Sequence, residues 1–387
     1  MKHSIRALAA ISVLVFAAVS LLSSCRHDEE IVPAEFEALP DGPMPGAVPE
    51  GMYLLNEGNM GSNKSTLDYV DFRRGRYCRN IYAERNPDVI KELGDVGNDL
   101  AIYGSKLYTV INCSHKVEVM DAATGVRIAK IDIPNCRFLA FHEGNAYVSS
   151  YIGPVNSGMD SPRGGVYRID TLSLQVTGLV EVGYQPEEMA VLDGKLYVAN
   201  SGGYRKPHYD NTLSEIDLAS FTQLRQIPVG INLLRVHKDR YNKLWISSRG
   251  DNLTIGSRIF SAAINPATGR LEVADTLDVP CSAMAIRGDS LYCISTEWSD
   301  KTASNSISYT LVDVRTHRVI SDCFITDGTE AEISKPYGIA LNPTNGDVYI
   351  TDAKYYVSSG TLNCYSRDGH RRWSVRTGDI PSSMAFR

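Results

Sequence analysis

Eight side chains able to stack on a ligand or hydrogen-bond to it sit in a few irregular stretches of this chain: Tyr151, Tyr204, His208, Tyr209, Arg249, Trp298, Tyr355 and Tyr356. The stretches are 56–65, 112–115, 151–164, 200–211, 249–256, 296–306 and 352–360, and all are rich in Gly, Asn, Ser or Tyr. Tyrosine and tryptophan offer a large rigid surface with a polar tip, at a low cost in side-chain entropy. Amides and hydroxyls beside them supply adaptable hydrogen bonds. That combination suits non-covalent capture of a large polar ligand better than bond breaking. Asn56, Asn98, Asn200, Glu187 and Tyr337 flank the same stretches and complete the candidate binding set. Any one aromatic in a loop is more often local packing; the argument rests on the contrast between the long loops of one face and the short turns of the other.

Catalytic patterns are missing. The chain has no HExxH, GxSxG, Walker or EF-hand motif. Glu57, Glu187, Glu188 and Asp352 have the oxygen ligands that Ca²⁺ takes. A metal-dependent lactonase or lyase is therefore the enzymatic alternative, but the expectation is a non-enzyme without a resident cofactor. The net charge of −6 and the lack of a basic run argue against nucleic acid as a partner.

What must position these loops is a repeat. The stretch 186–200 reads as a short apolar strand, an Asp193-Gly194 turn and a second strand through Leu196, Tyr197 and Val198. Variants centre on Ala101, Ala140, Arg235, Ala285 and Ala340, and a half-copy around Ala385 ends the chain. With Ala190 as the reference, successive anchors are 39, 50, 45, 50, 55 and 45 residues apart. A period of roughly 40–50 residues with several strands per unit predicts a propeller. Each repeat continues into a third strand, six of which end on Asp71, Asp121, Asp170, Asp217, Asn265 or Asp313. A short carboxylate or amide there starts a turn by bonding the backbone two residues on, so these acids are read as structural. The expected fold is all-β, a seven-bladed propeller over 51–387. Its first blade lacks an inner strand, which 382–386 supplies, closing the ring. Strand alternation then puts the short turns on one face and the long loops on the other, where seven loops form a bowl. Loops on a rigid scaffold are where function usually sits.

Ahead of the repeats, Lys2 and Arg6 precede an apolar run from Ala7 to Leu22, as in an export signal. The run ends Leu22-Ser23-Ser24-Cys25, which resembles a bacterial lipobox. That resemblance implies a signal peptide over 1–24 and lipidation of Cys25, hence a membrane anchor. Asp28-Glu29-Glu30 follows, similar to the surface-export signal of Bacteroidetes lipoproteins. Five prolines between 33 and 49 lead us to expect a semi-extended tether over 25–50. Seven cysteines remain after Cys25, an odd number without a metal-site spacing, so no bridge is assigned. Cys293 and Cys364 fall in strand interiors and are expected to be small buried hydrophobes.

The run Leu196-Tyr197-Val198-Ala199-Asn200 resembles the YVTN repeats of YncE-like propellers. The segments 54–63, 67–69, 94–100 and 116–119 are similar to DUF5074-type surface lipoproteins of Bacteroidetes, and within them to the BtuG-like branch. This resemblance implies an outer-membrane, surface-exposed lipoprotein that captures vitamin B12 (cobalamin) and passes it to a TonB-dependent, BtuB-like transporter. A glycan, another metallophore or a partner protein is the alternative ligand. The resemblance supplies no residue-level ligand motif.

Overall fold

The computed structural model describes residues 33–89, 92–153 and 160–387. Cys25, the signal segment and part of the 151–164 loop lie outside these residues.

Apolar residues alternate with polar ones along short runs broken by Gly and Asx turns, and these runs form antiparallel sheets of four or five strands. Seven such sheets follow one another along the chain. A typical blade, the fourth, runs Pro186–Leu192, Lys195–Asn200, Thr212–Asp217 and Thr222–Pro228 from the inside out. The inner strands Gly97–Tyr103, Cys136–His142, Leu233–Lys238, Ala283–Arg287 and Pro336–Leu341 begin the other continuous blades.

The first blade is composite. Pro381–Phe386 pairs with Gly51–Asn56, with Met52 opposite Phe386 and Tyr53 opposite Ala385. The C-terminal strand thus supplies the missing inner strand, as the repeat predicts. Gly338 shows how tightly the seam closes: a Cβ there would lie 1.8 Å from the Ser382 carbonyl oxygen, so no side chain fits. Ser382 Oγ also donates to the Leu55 carbonyl at 3.3 Å.

Three expectations need correction. The proline-rich segment is not only a tether. Glu35–Ala38 pairs with Arg76–Arg79 as a fifth, outermost strand, and Leu39 is buried in the core. Asp41 accepts a hydrogen bond from Trp373 Nε1 at 2.9 Å, so this segment straps the seam between the last blade and the first. Its apolar groups at Leu39 and Ala47 find a hydrophobic seat that composition alone does not reveal. Second, the repeat places the fourth strand of the first blade near 79–83, but that strand is Arg76–Arg79, and Ile81–Arg85 is a short helix whose Ile81 and Tyr82 are buried. Third, the anchor of the fifth repeat is His237, which faces Trp245 as Ala190 faces Tyr197 and Ala101 faces Tyr108. Arg235 stands two residues earlier, at a position that matters below.

The Asx turns are as expected. Asp71, Asp121, Asp170, Asp217, Asn265 and Asp313 each end a third strand and accept backbone N–H groups two or three residues on. All seven cysteines after Cys25 are free thiols, with Cys293 and Cys364 buried. Among the described residues, no helix is long and apolar enough to cross a membrane.

Candidate functional site

The site is built by an irregularity that recurs at the mouth of six of the seven inner strands. Register slips between Gly97 and Asp99, Cys136 and Leu139, Pro186 and Met189, Leu233 and Val236, Pro336 and Ile339, and Pro381 and Met384. Each slip is a β-bulge, which re-aims side chains that a regular strand would send sideways. The sixth blade keeps a regular register there, and Ser282 stands just before its inner strand. In five blades a left-handed non-glycine residue immediately precedes the inner strand: Val96, Asn135, Gln185, Asn232 and Ile380. Such backbone costs about 1–3 kcal/mol per residue and clusters at functional sites. Gln185 shows one return on that cost: its Oε1 accepts the Tyr204 N–H at 2.7 Å and fixes the long loop of the fourth blade.

These bulges line an axial cavity of about 430 Å³ with Asn98, Arg137, Phe138, Leu234, Arg235 and Tyr337, among others. Glu57, Met60 and Tyr204 from the long loops complete it. Two more cavities share its walls. One of about 720 Å³ is lined by Met60, Asn112, His115, Arg137, Tyr151 and Tyr204. The other, about 350 Å³, is lined by Arg137, Glu187, Lys206, Tyr209, Arg249 and Asn252, with Tyr151 and Tyr204 again present. Arg137 and Tyr204 belong to all three, so the cavities are lobes of one bowl on the long-loop face.

Glu187 is the electrostatic hub. Its Oε2 accepts from Arg137 Nε and Nη2 at 3.1 and 2.9 Å. Its Oε1 accepts from the Tyr151 hydroxyl at 2.8 Å, Ser201 at 3.3 Å and Arg249 Nη2 at 3.3 Å. Burial acts to raise its pKa, but Arg137 and Arg249 outweigh that and hold it below the usual carboxylate range. A carboxylate saturated in this way holds two guanidiniums in place and has little capacity left for a ligand donor. Glu188 is similarly occupied, accepting from the Val236 N–H at 2.8 Å and lying 3.7 Å from Arg235.

Two other carboxyls near the axis behave differently. Burial raises Glu57 to about 7, although Tyr337 donates its hydroxyl to it at 3.0 Å. Burial likewise raises Asp99 to about 7, against the N–H of Leu139 at 2.9 Å. Both carry a proton for much of the time near neutral pH.

The structure sorts the residues expected from sequence. Asn98, Tyr151, Glu187, Tyr204, Tyr209, Arg249 and Tyr337 line the bowl. Tyr356 stands one ring away, edge-on to Tyr337 at 5.9 Å. Asn56 and Asn200 do not reach it. Both end a second strand, are fully buried, and donate to Thr66 and Asp68 or to Thr212 and Ser214 inside their own sheets. Trp298 sits on a β-ribbon, because 296–299 pairs with 304–307 instead of forming a loop, and its Nε1 donates to Asp300. Tyr355 is 74% exposed and lines none of the three lobes. Among the described residues no group of three or more His, Cys, Asp or Glu side chains could hold a metal ion, and Asp352 is engaged by the N–H groups of Ser334 and Lys335. Arg137, Phe138, Arg235 and Met60 were not foreseen. Arg137, Phe138 and Arg235 share a place two or three residues before their repeat anchors, which is the pattern that could have revealed them, and Met60 lies in the 56–65 loop.

A family model described as a domain of unknown function, DUF5074, matches residues 50–367. No curated protein matches the chain. Among solved structures, a hypothetical selenium-binding protein from Sulfolobus tokodaii superposes with a TM-score of 0.62 at 11% identity, covering 89% of this chain and 96% of its own. Hydrazine synthase of Kuenenia stuttgartiensis gives 0.56 at 17% identity, covering 75% and 89%. A quinonprotein alcohol dehydrogenase-like protein from Bacteroides thetaiotaomicron gives 0.53 at 16%, covering 87% and 78%. At these identities the likeness is one of fold.

Proposed function

The chain belongs to the DUF5074 family, and on that footing we propose that it is a non-catalytic surface lipoprotein whose bowl captures a corrinoid such as cobalamin. The observation that carries this reading is the bowl itself: three confluent lobes of about 720, 430 and 350 Å³ with tyrosine walls and a floor of fixed donors. Ligand pockets for smaller molecules span roughly 300–1,000 Å³, so the confluent space suits a larger guest. Cobalamin carries many peripheral amides around an apolar-faced ring. Half-exposed Tyr204 offers its ring to the corrin, and Asn98, Asn112 and Asn252 line the walls beside its periphery. A preformed propeller limits the ordering cost of binding.

On this reading Cys25 carries the lipid that anchors the protein at the outer surface of an outer membrane. The bound ligand then passes to a TonB-dependent, BtuB-like transporter, as the resemblance to the BtuG-like branch implies. Met60, Leu253, Ile255, Tyr355 and Val357 expose apolar side chains in the same long loops, which is the composition of a protein-docking rim. That rim also suits the alternative in which a partner protein is the main ligand. Isothermal titration of the detergent-solubilised protein with cyanocobalamin separates the two. Saturable binding with colour retained after desalting supports corrinoid capture. No heat and no retained colour rejects it.

A further inference from the structure

We infer that the lobe between Arg137, Arg249 and Lys206 is an anion subsite that receives a phosphodiester or similar phosphate ester of the bound ligand. The inference rests on the corrinoid reading for the identity of that ligand, but its own grounds are the charges on the floor.

The whole chain carries a net charge of −6, yet three guanidiniums gather on the bowl floor. Arg137, Arg235 and Arg249 converge there against the ionised carboxylates Glu187 and Glu188. Within the lobe itself, two guanidiniums share the single carboxylate of Glu187. Lys206 stands on the wall, paired with Asp300 at 3.0 Å, and Asp251 lies beside that pair, occupied by its own loop N–H groups. A ligand anion entering the lobe therefore meets two guanidiniums that have only one carboxylate in contact between them.

The donors are also aimed and pre-organised. Glu187 takes one edge of Arg137, and Asn232 Oδ1 takes Arg249 Nε at 3.1 Å. With those contacts fixing each planar fork, the remaining N–H groups are held in place without further loss of rotamer freedom. Arginine forks recognise phosphate oxygens bidentately. Asn252 and Tyr209 line the same lobe and add neutral polar groups. Tyr151 lies beneath the Arg137 guanidinium at 5.1 Å, which fixes that plane from a second side. The low-dielectric walls strengthen the field felt by an incoming anion. Cobalamin has one such group, the phosphodiester of its nucleotide tail. The subsite would therefore orient the tail toward the fourth and fifth blades, with the corrin ring against Tyr204.

The test compares cobalamin with dicyanocobinamide, which keeps the ring and its amides but lacks the phosphodiester, and adds inorganic pyrophosphate as a bare probe. Titrations are run on the wild type, Arg249→Gln and Lys206→Gln, each checked by thermal melting. Arg249→Gln is expected to weaken cobalamin about tenfold and to leave cobinamide within about twofold. Lys206→Gln, on the exposed wall, is expected to cost cobalamin about two- to threefold. Equal losses for both corrinoids, or none for either, overturn the subsite. If neither corrinoid binds the wild type, the corrinoid reading fails and pyrophosphate decides the subsite separately. Binding that Arg249→Gln abolishes upholds it, and binding that is absent or unchanged rejects it.

Discussion

Two buried glutamates carry nearly the same contacts and do different work. Glu118, in the second blade, accepts the Tyr82 hydroxyl at 2.8 Å and lies 3.0 and 2.5 Å from Lys116 Nζ and Arg127 Nε. Glu187 accepts the Tyr151 hydroxyl at the same distance and binds Arg137 and Arg249. Each is a carboxylate with two cations and a phenol. Glu118 stands in the middle of a third strand, where Tyr82 from the short helix covers it, and its cations line none of the bowl lobes. Glu187 stands in a bulge, and its cations open onto a cavity. The same ion cluster ties neighbouring elements together in one place and presents donors to a ligand in the other. Its chemistry is set by the residues, but its role is set by whether the strand beneath it is regular.

The largest effect should come from breaking the frame that both clusters share. Removing 381–387 takes away the closing strand and also the Ser382-Ser383 bulge from the bowl floor. A chemical-denaturation curve is expected to lose its single cooperative transition, and ligand binding should vanish with it. Survival of either would show that the ring closes without this strand.

Next comes the direct contrast. Glu118→Gln removes a buried carboxylate from part-buried Lys116 and Arg127 and is expected to cost up to about 3 kcal/mol in urea unfolding, with ligand affinity unchanged in the folded protein. Glu187→Gln leaves Arg137 and Arg249 similarly short of a partner, so a comparable stability loss is expected. Unlike the first substitution, it should weaken ligand binding severalfold, because the two forks lose their common anchor. Unaltered affinity in Glu187→Gln would erase the distinction.

A smaller effect separates bowl from rim. Tyr204, half-exposed yet part of every lobe, is expected to lose about tenfold in affinity as alanine, with stability changed by no more than about 0.5 kcal/mol. Tyr355→Ala should leave affinity for a small ligand where it was.

The smallest effect concerns pH. Glu57 holds its proton to about 7 in the fold, above the ordinary carboxylate value of 4.5. The folded form therefore binds more protons than the unfolded chain between those values, and this group's contribution to stability falls as pH rises through that window. Glu187 is shifted the other way: its contribution is present above the ordinary value and is lost as pH falls through its depressed one. Glu57→Gln should therefore melt near the wild type at pH 4.5 and above it at pH 8. A Tm gap that closes with rising pH would contradict the assignment.

The repeat made the frame legible in advance. A strand pair such as 186–200 announces itself through alternation and an Asp-Gly turn, and the ring follows because stacked copies must bury their faces against one another. Tyr151, Tyr204 and Arg249 could be found because loop position and residue type agreed. Asn56 and Asn200 misled for a physical reason: an amide at a strand end hydrogen-bonds equally well to a ligand or to its own sheet, and composition does not distinguish them. Arg137 and Arg235 were hidden because a bulge leaves no mark on the hydrophobic period beyond one extra residue.

By itself the sequence determined the number of blades, the strand that shuts the ring, the turn aspartates and the face bearing the long loops, since all of these follow from local periodicity and turn chemistry. Only the tertiary structure decided which side chains meet at the axis, that 35–49 straps the seam, and that Glu57 and Glu187 hold opposite protonation tendencies. Those outcomes depend on burial and on neighbours from distant blades, such as the pairing of Arg249 with Glu187, and spacing along a chain does not encode the distance between blades across a ring.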